Sequence, residues 1–460
     1  MTHEGCEFMK SIRWTYSQFI KYVIPSIISM MFISLYTVID GYFVSKYVDS
    51  NALASINIIM PLNNLALGLT IMFISGGSAL ISIALGAGER EKANRYFSLV
   101  TLVLVGLGFT MSIIGLLNIR WIMRQLGASD ALMPYCIDYG KIIIMAIPFL
   151  IMQVSYEYFL RVDDQPRLSM MLTIFGGIIN IVFDYIFIAK FGWGIKGAGY
   201  ATALGIITAA LGGVVYFTGR PKYLHYQRPR LDLKFLKGAC LNGSSEMVGS
   251  FSRGITTFLF NITTFKYAGE AGVAAISVLM YLFFMFNSFA IGLTYGIQPV
   301  ISYSLGAKNK SLIRDVVKKC FIVLSVMSVA CFLVVQIWGR YAVILFLKDD
   351  VYAMEIATEG MRIFSFALLM IGTNIFCSGY LTAINKGKIS AIISFLHSFI
   401  LVIPCILILP QFFDLKGVWL STPIAELGTL VLSLYFIKRD KLLNESNGKY
   451  NTLIYGKVEL

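Results

Sequence analysis

Long apolar runs recur along almost the whole chain, separated by shorter segments that are polar, basic or rich in glycine. Each run has about 20 residues or more, the length that an α-helix needs to cross the hydrocarbon core of a bilayer. The pattern therefore predicts an all-α integral membrane protein with twelve transmembrane helices. The predicted spans cover 15–45, 52–80, 95–118, 138–160, 168–190, 195–217, 236–265, 271–300, 318–338, 358–383, 389–410 and 417–437.

Composition supports this interpretation and excludes several other classes of protein. Of the 460 residues, 57% are hydrophobic and 14% are charged, whereas a soluble chain has about 25% charged residues. The N-terminal stretch "MTHEGCEFMKSIRW" leads into the first span without a small-residue cleavage site, so no secretory signal is predicted. The chain shows neither a nucleotide-binding loop nor a catalytic constellation, so we expect no enzymatic activity, no ATP drive and no cofactor.

The cysteines and histidines do not indicate a site. The seven cysteines have no ligand spacing, so neither a metal centre nor a disulfide framework is expected. The three histidines are equally scattered. His397 lies in an apolar run, where it could titrate, and we interpret it as a helix-packing residue.

The net charge of +13 is unevenly distributed. With the N-terminus inside, Lys and Arg concentrate in the N-terminal stretch, around "GEREKANR", in 220–237, in 308–319 and in the tail. This is the bias that orients membrane proteins, and it predicts that both termini are cytoplasmic. The charge is thus an orientation signal, and a nucleic-acid partner is not expected. The predicted location is the inner, cytoplasmic membrane of a bacterium.

The chain also repeats itself around a polar linker, "TGRPKYLHYQRPRLDLKF" at 218–235. Two motifs recur at an offset of 220: "ISIALGA" (81–87) as "ISYSLGA" (301–307), and "IKGAGYAT" (195–202) as "LKGVWLST" (415–422). Six spans per half is an even number, so a pseudo-two-fold axis along the membrane normal is expected, as in parallel-repeat transporters. The predicted division is an N-terminal lobe at 1–217, a cytoplasmic linker at 218–235, and a C-terminal lobe with its tail at 236–460. The alternative is a duplication that serves only stability, as in a receptor or channel.

Five ionisable residues lie well inside predicted spans. A carboxylate at the bilayer centre costs roughly 2.5–3.5 kcal/mol on insertion scales, so each needs a reason. The acids are Asp40, Asp184, Glu246 and Glu426, and the basic residue is Arg253.

Two of the acids are predicted to lie at similar heights. Asp40 follows the basic Lys21 by 19 residues, about 28 Å of helix, and Asp184 follows Arg167 by 17 residues, about 25 Å. Both carboxylates are therefore expected in the outer half of the first bundle. The alternative for Asp40 is that it only caps the end of the first helix.

An amide and a hydroxyl complete the predicted pocket. Asn180 precedes Asp184 by one helical turn and shares its face, and Thr202 enters from outside at the same level. Paired buried carboxylates can hold a proton, and an all-oxygen pocket equally suits a small hard cation such as Na⁺. The sequence leaves both coupling ions open, and beyond a Na⁺ there no metal is predicted.

Other polar and aromatic positions are candidates for contacts with cargo. Glu246 and Arg253 lie on one helix face, either as an internal ion pair or as substrate contacts, and Glu426 has the same two interpretations. Pro25 permits a kink in the first helix, which also carries Asp40. Methionine and aromatic side chains adapt to, or attract, organic cations. The remaining substrate candidates are Met30, Met31, Tyr36, Met280, Tyr281, Phe284 and Gln298.

Several segments resemble the multidrug and toxic compound extrusion (MATE) transporters, in their MepA-like and DinF-like bacterial branch. The resemblance rests on "IDGYFVSKYVDSNALASINIIMP" (39–61), "GGSALISIALGAGEREKANRYF" (76–97), "NIVFDYIFIAKFGWGIKGAGYATALG" (180–205) and "GIQPVISYSLGAKN" (296–309). It implies two six-helix lobes and an outward V-shaped cleft. Asp40, Asn180, Asp184 and Thr202 match the family's first-lobe cation or proton site, and Pro25 matches a first-helix proline. The tenth span has no acid at its core, unlike one branch of the family, so the coupling site is expected in the first lobe.

The function that follows is a secondary antiporter that exports cationic amphipathic drugs or toxic organic compounds in exchange for Na⁺ or H⁺ by alternating access. We expect it to act as a monomer whose partners are small organic cations and membrane lipid. The alternative is a flippase or exporter of a lipid-linked or anionic metabolite, which usually needs a cationic cleft. A receptor, scaffold or channel is a third possibility, but the sequence has no sizeable soluble domain or filter-like loop.

Overall fold

The computed structural model describes residues 13–48, 50–347 and 350–444. The predicted cytoplasmic termini therefore lie largely outside the described residues. Regular structure within those ranges is helical throughout. The helices are α1 (Tyr16–Tyr47), α2 (Ser50–Gly86), α3 (Arg90–Leu117), α4 (Ile119–Gln125), α5 (Met133–Val162), α6 (Pro166–Asp184), α7 (Gly194–Thr218), α8 (Leu233–Gly306), α9 (Lys310–Leu347), α10 (Val351–Phe364), α11 (Leu368–Ala383), α12 (Gly387–Phe395), α13 (Val402–Ile408), α14 (Pro410–Lys438) and α15 (Lys441–Asn444).

Three short segments extend a helix or join two consecutive helices into a longer span. Tyr185–Lys190 continues α6 as a π-helix, Ser365–Ala367 joins α10 to α11 as a 3₁₀ turn, and Leu396–Leu401 joins α12 to α13 as a second π-helix. In the described part of the chain, eleven helical stretches are long and apolar enough to cross a membrane. The stretch α8 has 74 residues and breaks at Gly269, whose φ of 59° and ψ of −146° are not helical. Counting α8 as two crossings yields the twelve that the hydrophobic pattern predicts.

The internal repeat is visible in the turns that end equivalent helices. After α2, the amide of Glu89 donates to the carbonyl of Ala84 at 2.9 Å, and Gly88 has a φ of 83°. After α8, 220 residues later, the amide of Asn309 donates to the carbonyl of Ser304 at 2.8 Å, and Lys308 has a φ of 57°. A left-handed residue after the last turn is a common way to satisfy helix-terminal carbonyls. The recurrence of "LGA" in sequence thus corresponds to a recurrence of backbone conformation.

A second pair of equivalent contacts lies between neighbouring helices. In the first lobe, the Ser169 hydroxyl donates to the Glu157 carbonyl at 3.2 Å, and in the second the Ser390 hydroxyl donates to the Ser378 carbonyl at 2.9 Å. Ser169 and Ser390 lie 221 positions apart in the sequence, as do Glu157 and Ser378. The fold is therefore built from two equivalent six-helix lobes.

The stretch Gly219–Asp232 connects α7 to α8 and defines what we call the linker end of the bundle. A buried carboxylate, Asp163, anchors it: its oxygens accept from the amides of Lys222, Tyr223 and Leu224 at 2.7–2.8 Å and from the Tyr216 hydroxyl at 2.6 Å. The stretch ends where α8 begins, because the side chain of Asp232 caps α8 by accepting from the amide of Phe235 at 2.9 Å.

The two lobes meet closely at the linker end, where α2 packs against α8. A Cβ on Gly243 would lie 1.9 Å from the carbonyl oxygen of Met72, and one on Gly76 would lie 2.0 Å from that of Ala239. Nearer the end of the same helices, a Cβ on Gly306 would lie 2.0 Å from the Ile83 oxygen. Backbones can approach this closely only because glycine lacks a side chain. These contacts form what we call the glycine seam.

Candidate functional site

Close packing of α6 against α7 brings the predicted pocket together. A Cβ on Gly176 would lie 2.8 Å from the carbonyl oxygen of Gly205, and one on Gly205 would lie 2.6 Å from that of Gly176. Without side chains at this crossing, the two helices approach closely enough for their polar residues to meet. One turn further along α6, the Asn180 amide nitrogen lies 3.5 Å from the Thr202 hydroxyl on α7.

The two acids of the pocket face each other. Asp184 is completely buried, Asp40 is half-buried, and their carboxyl groups are within hydrogen-bonding reach of each other. Among the described residues, no hydrogen-bond donor reaches either carboxylate oxygen of Asp184 or Oδ1 of Asp40. Two ionised carboxylates side by side in a buried site repel each other and lack compensation. A proton or a cation between the two carboxyl groups would remove this repulsion.

The polar atoms around these acids that could bind a proton or a cation are oxygens. The Asn180 carbonyl oxygen is buried and lacks a hydrogen-bond donor among the described residues, as do the carboxylate oxygens beside it. Together with the Thr202 hydroxyl, these groups form an all-oxygen set that suits a proton or a hard cation such as Na⁺. Within the described ranges, no group of three or more His, Cys, Asp or Glu side chains forms a metal site.

Tyr139, on α5, is a member of this pocket that the sequence did not identify. It is buried, its hydroxyl contacts Thr202, and it lies within electrostatic range of both Asp40 and Asp184. The flanking charges at 138 and 141 made this segment resemble the edge of a span. In the structure, Asp138 pairs with Lys196 at 3.3 Å, so its neighbour can point inward. Recognising that ion pair would have required knowing how α5 and α7 pack.

Two predicted residues of α1 lie near this pocket. Tyr36 packs against Gly177, where an added Cβ would lie 3.1 Å from the Tyr36 ring. Its hydroxyl lies within electrostatic range of Asp40. Pro25 lies within α1, which continues as one helix through it. The Ser29 hydroxyl donates to the Pro25 carbonyl at 2.9 Å.

Glu246 lies at the junction between the lobes, apart from the pocket. Its carboxylate accepts from the Tyr295 hydroxyl at 3.1 Å, and the Tyr295 ring lies 5.2 Å from the ring of Tyr158 in the first lobe. Arg253 is exposed and donates to the Ser250 hydroxyl at 3.2 Å. Within the described residues, Glu246 and Arg253 therefore have separate partners, and no direct ion pair joins them.

The other substrate candidates do not share one site. Gln298 is buried between the lobes, with its amide nitrogen 3.3 Å from the Ser75 hydroxyl. Glu426 is buried in the second lobe, where the Asn374 amide donates to its carboxylate at 2.7 Å. The apolar candidates range from half-buried to exposed: Met30, Met31, Met280, Tyr281 and Phe284.

Twelve crossings in two equivalent lobes, with uncompensated carboxylates buried in one of them, define an internally duplicated membrane transporter. The chain belongs to the MatE family, whose model matches residues 25–186 and again residues 247–408. Those two matches fall one in each half, as the internal repeat requires.

Curated relatives agree with this assignment, and solved structures share the fold. The multidrug export protein MepA of Staphylococcus aureus is 26% identical over 423 residues, which cover 91% of this chain and 93% of MepA. MepA of Staphylococcus saprophyticus is 24% identical over 425 residues with the same coverage. A crystal structure of MATE in complex with MaL6 superposes with a TM-score of 0.89 at 20% identity, covering 95% of this chain and 98% of that one. A MOP superfamily transporter from Pyrococcus furiosus, whose binding pocket is described as having reverse polarity, superposes with a TM-score of 0.88 at 21% identity, covering 97% and 100%.

Proposed function

We propose that this protein is a secondary antiporter that exports cationic amphipathic compounds in exchange for Na⁺ or H⁺. The observation that carries the proposal is the pair of facing carboxylates, Asp40 and Asp184, with three oxygens that lack a donor. A site that needs a positive charge to be stable is a site that can couple to a cation gradient.

The pocket would work by exchange of positive charge. When a proton or Na⁺ joins Asp40 and Asp184, it neutralises them and removes their attraction for a positively charged substrate. When the cation leaves, the carboxylates again favour a positive substrate in the first lobe or the central cleft. Tyr36, beside the pocket, and Pro25, further along α1, would transmit the change. Alternating access would follow if the cation-loaded and substrate-loaded forms prefer different lobe arrangements.

The substrate class follows from charge and from the relatives. The described spans contain more acids than buried bases, and the MepA proteins to which the chain is similar are multidrug export proteins. The alternative, an exporter of an anionic or lipid-linked compound, is favoured by one observation. Arg161 is buried and none of its guanidinium nitrogens has a hydrogen-bond partner in the described residues. However, a carboxylate oxygen of Glu157 lies 4.0 Å from a guanidinium nitrogen of Arg161, and the guanidinium carbon lies 5.3 Å from the centre of the Tyr158 ring. These two contacts largely compensate the charge of Arg161.

Orientation, division into lobes and oligomeric state form part of the same proposal. The basic residues at the linker end favour a cytoplasmic linker end in a bacterial inner membrane, with both termini cytoplasmic. The lobes would be residues 1–217 and 236–460, joined by the linker at 218–235. The protein would act as a monomer, since each copy contains both lobes.

The test is efflux of an ethidium-like dye from proteoliposomes under an imposed Na⁺ gradient and, separately, an imposed pH gradient. Wild type should export dye under at least one gradient. Asp184→Asn, which keeps the shape and removes the charge, should abolish gradient-driven efflux while still inserting into the membrane. Asp130→Asn is the matched control, because the Asp130 side chain is 95% exposed in a loop, and it should behave as wild type. Undiminished efflux by Asp184→Asn would overturn the proposal.

A further inference from the structure

The second lobe contains a buried carboxylate that the proposed coupling mechanism does not use. Glu426 lies near the middle of α14, 1% exposed, with the Asn374 amide donating to its side chain at 2.7 Å and to its backbone carbonyl at 3.0 Å. The other carboxylate oxygen, Oε1, lies 3.8 Å from Nε2 of His397. That separation is too long for a hydrogen bond but close enough for a strong electrostatic interaction if the imidazole is protonated.

His397 is held in an unusual piece of helix. It lies in the π-helical segment Leu396–Leu401, between α12 and α13, and its Nδ1 lies 3.3 Å from the Thr429 hydroxyl. Single π-helical turns inside α-helices are frequent at functional sites, because the extra residue re-aims a side chain. His397 is also 32% exposed. The histidine therefore links the buried carboxylate to the surface of the helix bundle.

One further atom at this site lacks a partner. The Oδ1 oxygen of Asn374 is buried and receives no hydrogen bond within the described ranges, although the Asn374 amide nitrogen is fully used on Glu426. Asn374 itself is only 5% exposed. The cluster thus contains an acid, a base and an unsatisfied acceptor. An added proton would meet oxygen and nitrogen acceptors there.

Other charged groups around α14 are engaged elsewhere. Toward the end of α14 opposite the linker, Lys416 pairs with Glu359 at 3.1 Å, and at the linker end Lys386 pairs with Asp440 at 3.0 Å. Glu246, on α8, faces Tyr295. Among the described elements that pack against α14, the segment Leu396–Leu401 presents the imidazole of His397 to Glu426, with Nε2 3.8 Å from Oε1.

We propose that Glu426 and His397 form a second proton-binding site, in the C-terminal lobe, separate from the Asp40–Asp184 pocket. With one proton, the pair exists either as carboxylate and imidazolium or as carboxylic acid and neutral imidazole. A second proton yields the acid and the imidazolium together. Each step is a proton transfer between Oε1 of Glu426, Nε2 of His397 and water, with no other bond made or broken. The site does not rest on the proposed antiport, because its protonation can be measured without transport.

The test is infrared difference spectroscopy of the purified protein in lipid between low and high pH, with protons as the only ligand varied. Wild type should show a protonated-carboxyl band that Glu426→Gln removes and Asp184→Asn leaves in place. His397→Gln should keep that band and displace the pH at which it disappears. The proposal would be overturned if the Glu426→Gln variant kept every carboxyl band of the wild-type difference spectrum. It would also be overturned if the band did not respond to His397→Gln.

A transport measurement separates this site from the proposed coupling pocket. Dye efflux by Glu426→Gln should remain gradient-driven, but its rate as a function of pH should show one titrating group fewer than that of wild type. Asp184→Asn should lose gradient-driven efflux altogether. If Asp184→Asn transports normally while the Glu426 band is present, the antiport mechanism fails and the second proton site stands. If Glu426→Gln leaves the pH profile of efflux unchanged and also removes no carboxyl band, the buried pair is structural and the proposal fails.

Discussion

Replacing Gly243 with alanine should drive the two lobes apart at the linker end. The added Cβ would lie 1.9 Å from the carbonyl oxygen of Met72 and 2.9 Å from the amide nitrogen of Gly76. Both neighbours are backbone atoms of α2, so no side chain can rotate away to relieve the clash. The helices must separate by about 1 Å or more before the contact becomes an ordinary one.

The magnitude follows from the cost of overpacking a close contact. Such substitutions cost about 1–3 kcal/mol. If the cost falls only on the conformation with a closed linker end, the equilibrium shifts away from it by about 5- to 160-fold. A conformation that is now a minor one would then be populated at a measurable level.

The assay is the distance between two spin labels at the linker end, measured in a variant whose seven native cysteines have been replaced. Exposed positions on α3 and α9, Glu91 and Lys318, report one lobe each. Wild type should give one short distance, and Gly243→Ala should add a longer one. Gly249→Ala is the matched control: it lies on the same helix, its Cβ would meet no heavy atom within 4 Å, and it makes the same change in helix propensity. Identical distance distributions for Gly243→Ala and Gly249→Ala would refute the role of the glycine seam.

Two further predictions concern the linker and the pocket. Asp163→Ala removes the acceptor of three backbone amides and of the Tyr216 hydroxyl, which should cost at least about 2 kcal/mol of linker stability. Trypsin should therefore cleave the linker at least about 30-fold faster than in wild type. Unchanged cleavage kinetics would contradict the anchoring role of Asp163. Thr202→Val removes the hydroxyl that faces Asn180 and Tyr139, which should weaken cation binding by about 1 kcal/mol. The ion concentration for half-maximal efflux should therefore rise about fivefold. An unchanged ion dependence would exclude Thr202 from the cation site.

Much of the fold could be predicted because the hydrophobic pattern in a membrane protein has few structural solutions. Runs of about 20 apolar residues must be helices, and a repeat at a constant offset must produce equivalent lobes. The recurrence of "LGA" at 85–87 and 305–307 corresponds to matching turns with left-handed residues at Gly88 and Lys308. The break at Gly269 falls between the predicted spans 236–265 and 271–300. What the pattern did not show is the π-helical segments, because these depend on how neighbouring helices pack.

The pocket was predicted in part for a related reason. Helical rise predicts similar heights for Asp40 and Asp184, the shared helix face adds Asn180, and Thr202 enters at the same level. The resemblance to the family implies the same four residues. Tyr139 could not be predicted, because a tyrosine between charged residues has no distinctive pattern.

The Glu426–His397 contact was missed for a different reason: the pair joins residues 29 positions apart on separate helices. Each member has an ordinary interpretation on its own. Only the fold shows that the imidazole and the carboxylate face each other.

The most direct test of the central account is the affinity of the purified protein for an ethidium-like dye as a function of Na⁺ concentration and of pH. If the Asp40–Asp184 pocket links cation and substrate, wild-type affinity should fall about 5- to 150-fold as the coupling cation saturates the site. The variant with both Asp40→Asn and Asp184→Asn should bind dye with an affinity independent of either cation. Wild-type affinity that responds to neither Na⁺ nor pH, or a double variant that responds as wild type does, would contradict the account.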